Sequence, residues 1–260
     1  MAEAVGVAVQ GYVGTERGRE ALGVGAGGDR TAMVDRVAED AVIAQCEALA
    51  ASGVRFLLRS EELGDRSFGA LSPVLLVDPV DGSINAKQGI PYHCTSLALI
   101  DGSTFADAVV GVVRSLAGPG VFSAVRGEGV WQDGAPLRPL PVELQDGRIP
   151  VLLMEAVILP AWLAEQAALL GAVRRLRLMG AAALSLCQVA SGAASALVST
   201  GGLRAFDCAA GLLVLREAGA VVTDSAGGDV GGVAADMRSR VRLVASRSPE
   251  IHQTVLSLLN

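Results

Sequence analysis

At 260 residues, with 51% hydrophobic and only 18% charged side chains, the chain has enough apolar surface for a sizeable buried core, which excludes a disordered chain. A net charge of -6 argues against a nucleic-acid partner, because the densest basic cluster, Arg174, Arg175 and Arg177, is too small to line a groove. Four scattered cysteines (Cys46, Cys94, Cys187, Cys208), two histidines and no apolar run of membrane length exclude a zinc site and a membrane partner, and predict a cytoplasmic protein whose metals are held by oxygen.

In chain order, residues 2–19 have a helical pattern weakened by Gly6, Gly11, Gly14 and Gly18. Residues 22–30 are glycine-rich and predict a loop or a flat backbone surface beside a ligand. Thr31 is the expected cap of a helix reaching Ala51, with Val34, Val37, Ala38, Ala41, Val42 and Leu49 on its apolar stripe. Asp35 and Glu39 stand four apart on one face. They are solvated, paired with Arg36, or aimed at a cation. Val54–Arg59 predicts a strand that ends in Ser60-Glu61-Glu62, although paired glutamates at a loop edge are common without function.

Val74-Leu75-Leu76-Val77 predicts a buried strand, and Pro79 stops it. Asp78 sits at its mouth, Asp81 follows, Gly82 permits a sharp turn, and Ser83 is the expected cap of a short helix. Two readings stand for this stretch. One is a turn with solvated aspartates. The other is a cation between two carboxylates that would otherwise raise each other's pKa, with phosphate on the helix start.

Residues 87–91 read as a loop. Strands at Cys94–Ile100, Ala106–Arg114, Val121–Val125 and Gly129–Gln132, separated by turns, predict an antiparallel meander. The proline-rich stretch from Pro136 to Arg148 is the expected boundary between two halves, residues 1–140 and 141–260. Strands at Ile149–Met154, Leu176–Leu178, Ala194–Val198, Val221–Thr223 and Val241–Ala245 then alternate with helices at Ala161–Leu170, Ala181–Ser191, Phe206–Ala218 and Ser248–Leu258. The expected class is α/β in layers. Asp207 opens a helix that is apolar nearly all round. A charge buried there costs several kcal/mol unless it is paired, with Arg204 for example, or bound to a metal. The helix dipole recovers only about 0.3–1 kcal/mol.

These elements resemble the inositol monophosphatase family. Asp78-Pro79-Val80-Asp81-Gly82-Ser83 is similar to its DPxDGT/S signature, and Phe206-Asp207-Cys208-Ala209-Ala210-Gly211 to its second signature, WDxAAG. Ser60-Glu61-Glu62 resembles its GEE element, residues 29–39 its mobile loop and first helix, and Met179-Gly180-Ala181-Ala182-Ala183 its phosphate and sugar contact. Arg126-Gly127-Glu128-Gly129-Val130-Trp131 resembles its hairpin. The match runs in order from about residue 29 to 247 and is most similar to archaeal enzymes that hydrolyse both inositol monophosphate and fructose 1,6-bisphosphate.

The resemblance implies an αβαβα sugar-phosphatase fold, two or three Mg²⁺ per site with Mn²⁺ as a substitute, and a homodimer. It implies that Glu61, Asp78, the Val80 carbonyl, Asp81 and Asp207 hold the metals, with Asp35 behind the third. Glu61 and Ser83 would orient the attacking water. Asp81, Gly82, Ser83, Gly180, Ala181, Ala182 and Arg204 would hold the substrate. The implied activity is a metal-dependent phosphoric monoester hydrolase for small sugar or polyol phosphates, in which metal coordination makes hydroxide available near neutral pH. The alternatives are another small phosphate, such as a biosynthetic intermediate or a 3'-phosphoadenosine nucleotide, and a non-catalytic metabolite-binding relative. One departure bears on substrate: the acid that animal and archaeal members carry before the second signature is absent from Val198-Ser199-Thr200-Gly201-Gly202.

Overall fold

The computed structural model describes residues 1–155 and 164–259. Helix α1 (Ala2–Val9) stops well short of residue 19, and a 3₁₀ turn at Arg17–Arg19 follows it. Gly6 is tolerated inside the helix, whereas Gly14, beyond its end, takes a φ of +70°, outside helical backbone. The glycine-rich stretch is not a plain loop. Strands β1 (Ala21–Val24) and β2 (Arg30–Ala32) pair antiparallel and close a hairpin over it. Helix α2 (Met33–Ala51) is capped at Ala32, whose N–H donates to Asp35 Oδ2 at 2.8 Å. The Thr31 hydroxyl does not cap it and donates to Glu62 instead. The buried face of α2 carries Val34, Ala38, Val42 and Cys46, whereas Leu49 is 42% exposed and lies off the stripe.

The first sheet has seven strands in the order β3 to β9: β3 (Phe56–Ser60), β4 (Gly64–Asp81), β5 (Cys94–Ile100), β6 (Ala108–Ser115), β7 (Val121–Val125), β8 (Gly129–Gln132) and β9 (Ala135–Pro136). Strand β4 is long because it borders β3 twice, with Ser60 opposite Gly64 in one half and opposite Val77 in the other. Helix α3 (Ser83–Gln88) leaves its end. Lys87 and Gln88 therefore lie in a helix rather than a loop, and the cap is Gly82, not Ser83.

The second sheet has the order β11-β10-β12-β16-β14, built from β10 (Ile149–Glu155), β11 (Val173–Arg177), β12 (Ala196–Ser199), β14 (Val221–Asp224) and β16 (Leu243–Ser246). Strands β13 (Leu203–Arg204) and β15 (Arg240–Val241) form a separate pair. Of the helix expected at 161–170, residues 161–163 lie outside the described residues; α4 (Ala167–Gly171) is the described part. Helices α5 (Ala182–Ser191), α6 (Ala205–Glu217) and α7 (Pro249–Leu259) follow the sequence reading closely.

The layers follow from which faces are apolar. Helices α1 and α2 cover the outer face of the first sheet, and one core cluster joins Val34, Ala38 and Val42 to Phe56, Leu58 and Val77. Helices α5 and α6 lie between the sheets, α6 against β4–β7 and α5 against β12 and β16. Helices α4 and α7 cover the far face of the second sheet. The result is a five-layer αβαβα stack. From Ala205 to Leu215 every residue of α6 is buried except Asp207, as an apolar helix enclosed on all sides requires. No helix among the described residues is long and apolar enough to cross a membrane.

Candidate active site

The site begins with a fault in β4. In a regular strand, residues three apart point to opposite faces. Here Asp78 pairs with Ser96 and Asp81 with Cys94, so three steps on β4 match two on β5. This bulge turns Asp78 and Asp81 to the same side. The Thr95 hydroxyl fixes it by donating to the Pro79 carbonyl at 2.9 Å. Parallel pairing of Ser60 with Val77 then sets Glu61, the first residue beyond β3, beside Asp78; its N–H donates to the Val77 carbonyl at 3.1 Å. Asp207 enters from the first turn of α6. Its Oδ2 accepts the Arg204 backbone N–H at 2.9 Å.

All four carboxylates line one cleft of about 840 Å³. Val80, Gly82, Ser83, Gly180, Ala182 and Arg204 line it too; Asp35 and Ala181 do not. Asp78 Oδ1 accepts the Val80 N–H at 3.0 Å, and Asp81 Oδ2 accepts the Ala183 N–H at 2.7 Å. The start of α5 is thus tied to Asp81. The Ser83 hydroxyl donates to the Val80 carbonyl at 2.9 Å.

Burial and mutual repulsion govern the electrostatics. Burial pushes the Glu61 carboxyl up to about 8 against the pull of Arg204. It pushes Asp78 well up, and Glu61, Asp81 and Asp207 add to the effect. Asp81 is raised by burial and by Asp207, and Asp207 is raised by burial. Such a cluster is costly unless a cation enters it.

The model of the inositol monophosphatase family matches residues 1–260. The chain belongs to the inositol monophosphatase family. It is a phosphatase, a hydrolase of phosphoric monoesters. A Methanothermobacter thermautotrophicus protein named fructose-1,6-bisphosphatase/inositol-1-monophosphatase is 30% identical, over 100% of this chain and 94% of that one. A Methanococcus maripaludis protein named bifunctional NADP phosphatase/NAD kinase is 29% identical over 92% of this chain, which spans 44% of that protein. Among solved structures, a Pyrococcus horikoshii protein described as having similarities to inositol-1 monophosphatase superposes with a TM-score of 0.81 at 25% identity, covering 99% of this chain and 94% of that one.

Catalysis in the inositol monophosphatase family depends on a divalent metal, and the donor set here fits one. It consists of buried oxygens with no sulfur or imidazole among them, which suits a hard cation. As placed, no three acidic side chains among the described residues converge on one point. The Arg204 guanidinium lies between Glu61 and Asp207, in contact with both.

Asp35 and Glu39 are neither solvated nor paired with Arg36, which pairs with Asp40. Both are buried under the Glu61–Glu62 segment of this phosphatase. Asp35 Oδ2 faces Lys87 at 3.7 Å, and its Oδ1 is buried without a hydrogen-bond partner. Glu39 accepts the Ser60 hydroxyl. Burial pushes Glu39 up to about 7 from the ordinary 4.5, with the Ser60 bond pulling the other way. The native state therefore binds more protons than the unfolded chain between those two values, and stability falls as pH rises through that window. Glu39→Gln removes the ionisable group. Its gain in Tm over wild type should grow from about pH 5 to about pH 8 and vanish near the unfolded pKa of about 4.5. A constant difference across that range would mean that Glu39 stays ionised.

Two further wall residues escaped the sequence reading. Glu155 ends β10, is 9% exposed, and accepts the Ser185 hydroxyl at 2.7 Å; burial raises its pKa. The signal was present: Val151-Leu152-Leu153-Met154-Glu155 repeats the pattern of Val74-Leu75-Leu76-Val77-Asp78, an apolar strand ending in an acid. Asn85 donates to the Tyr92 and Met179 carbonyls, each at 2.7 Å, and so ties α3 to the turn before α5.

Proposed function

We propose that this chain hydrolyses small sugar or polyol phosphates, inositol 1-phosphate and fructose 1,6-bisphosphate among them, with two or three Mg²⁺ or Mn²⁺ ions, as a cytoplasmic homodimer. The observation that carries the reading is the bulge that brings Asp78 and Asp81 together beside Glu61 and Asp207 in one cleft. Glu61, Asp78, the Val80 carbonyl, Asp81 and Asp207 are the residues that would hold the metals. A bound divalent ion supplies Lewis acidity and a water acidic enough to attack phosphorus near neutral pH.

The chain's own groups do the rest. The Ser83 hydroxyl gives its hydrogen to Val80, which leaves its oxygen lone pairs free to accept one from the attacking water. Glu61 holds the same water from the other side. Gly82, Gly180 and Ala182 form the backbone against which the phosphate and sugar rest, with Ala181 buried behind them. Asp35 acts from behind the wall by holding Lys87. Arg30, Lys87 and Arg240 on the wall offer positive charge to a second phosphate, which favours a bisphosphate among the substrates. The two halves, residues 1–140 and 141–260, each contribute one signature to the site.

The testing experiment is phosphate release from inositol 1-phosphate and fructose 1,6-bisphosphate, with Mg²⁺ and with chelator. Mg²⁺-dependent release from either is expected. A second reading, a nucleotide phosphate as substrate, is favoured by the missing acid at Ser199–Gly202 and by the Methanococcus maripaludis relative. A higher kcat/KM on NADP or a 3'-phosphoadenosine nucleotide than on both sugar phosphates would replace the first reading with the second.

A further inference from the structure

Arg204 ends the two-residue strand β13, one step before the buried helix α6. Its guanidinium meets three acids from three parts of the chain. Nη2 lies 2.7 Å from Glu61 Oε1, Nη1 lies 2.6 Å from Asp29 Oδ2, and Nε lies 3.4 Å from Asp207 Oδ2. It stacks over the Phe206 ring at 4.6 Å, and the side chain is only 18% exposed. A planar fork with five donors suits this multiple contact; an ammonium does not.

Two of those acids are the carboxylates assigned above to the metals. A carboxylate oxygen engaged by a guanidinium N–H offers less electron density to a metal, and the two cations repel at such distances. Helix α6 cannot move Asp207 away, because it is packed on all sides. The arginine is the part that can move, since it is a long side chain on a short edge strand.

We propose that Arg204 is a built-in counter-cation that competes with the divalent metal for Glu61 and Asp207, so that metal loading displaces the guanidinium. The inference rests on the metal-dependent reading above. Without metal, Arg204 neutralises a cluster that would otherwise repel itself. With metal, the arginine releases Asp29, and with it the β1–β2 hairpin turn that this contact anchors. Metal affinity and the hold on that turn are therefore linked.

The test is titration calorimetry with Mg²⁺ on wild type, Arg204→Gln, Arg204→Lys and Asp207→Asn, with Tm measured in chelator and in Mg²⁺. Removing the competing charge-assisted bonds in Arg204→Gln should tighten Mg²⁺ binding about tenfold. Its Tm should fall in chelator and rise more than that of wild type on adding Mg²⁺. Arg204→Lys keeps the charge but cannot span the three acids, so tightening in that variant assigns the effect to the contact rather than to net charge. It also carries the test should Arg204→Gln not fold. Unchanged or weaker Mg²⁺ binding in both arginine variants overturns the proposal and leaves the metal reading intact. Wild type that binds Mg²⁺ no better than Asp207→Asn overturns the metal reading, and this proposal with it.

Discussion

Asp207→Asn is expected to lower kcat/KM for Mg²⁺-dependent phosphate release by about a thousandfold or more, since each 1.4 kcal/mol of lost transition-state stabilisation is worth a factor of ten. The substitution changes few atoms. It keeps an oxygen to accept the Arg204 backbone N–H, now made at 2.9 Å by Oδ2. It removes one of the seven acids that line the cleft, and with it a proposed metal ligand. The fold should not suffer, because the Asp207 side chain is only 13% exposed and this loss of water already disfavours its charged form. Tm in chelator should stay level or rise. Phosphate release and Tm measured on one preparation check both halves of this expectation. Activity within about tenfold of wild type would remove Asp207 from the metal site.

Gly82→Ala should damage fold and activity together. Gly82 has φ +84° and ψ 37°, the left-handed region, where a non-glycine residue costs roughly 1–2 kcal/mol. An added Cβ would also lie 2.9 Å from the Gly180 carbonyl oxygen, 3.0 Å from Ala181 Cβ and 3.2 Å from the Tyr92 carbonyl oxygen. Two of these neighbours are backbone; the nearer, Gly180, yields only by moving the turn before α5, and Tyr92 only by moving the segment before β5. A total loss of about 3 kcal/mol follows, or roughly 6–12 °C in Tm for a domain of this size. Any movement of that turn shifts the Ala183 N–H that holds Asp81, so kcat should fall as well. A thermal melt and a rate measurement suffice to check it. An unchanged Tm would mean that the turn has a second, unstrained conformation.

Where a physical rule acts within a few residues, the sequence was readable. Strands β7 and β8 lie where alternation and their flanking Arg126-Gly127 and Asp133-Gly134 turns put them. Helix α6 was recognisable from an apolar run with a single acid, and Asp207 was marked as needing a partner. The partners themselves were not readable, because they come from far along the chain. Asp35 and Glu39 look like a solvated i, i+4 pair until Lys87 and Ser60 arrive to meet them. Ser83 looks like a cap because the local pattern cannot show that Gly82 takes that place in left-handed backbone, nor that the hydroxyl turns back to Val80. Glu155 drew no notice because its anchor, Ser185, lies a helix away. The bulge at Pro79–Val80 was also hidden: proline announced the end of regular pairing, but not that the strand would slip by one residue and resume.

The separate origins of the reactive acids have a consequence for the life of the chain before it is folded. Glu61, Asp78 and Asp81 come from the early β3–β4 region, while Asp207 comes from a helix that must be sealed between two sheets. During synthesis the first three emerge long before the fourth, and sequence-distant contacts form late. The most repulsive arrangement in the molecule is thus assembled last, when enough core is in place to hold it. A growing or half-folded chain has no competent site, so phosphate esters in the cell meet the enzyme only once it is complete.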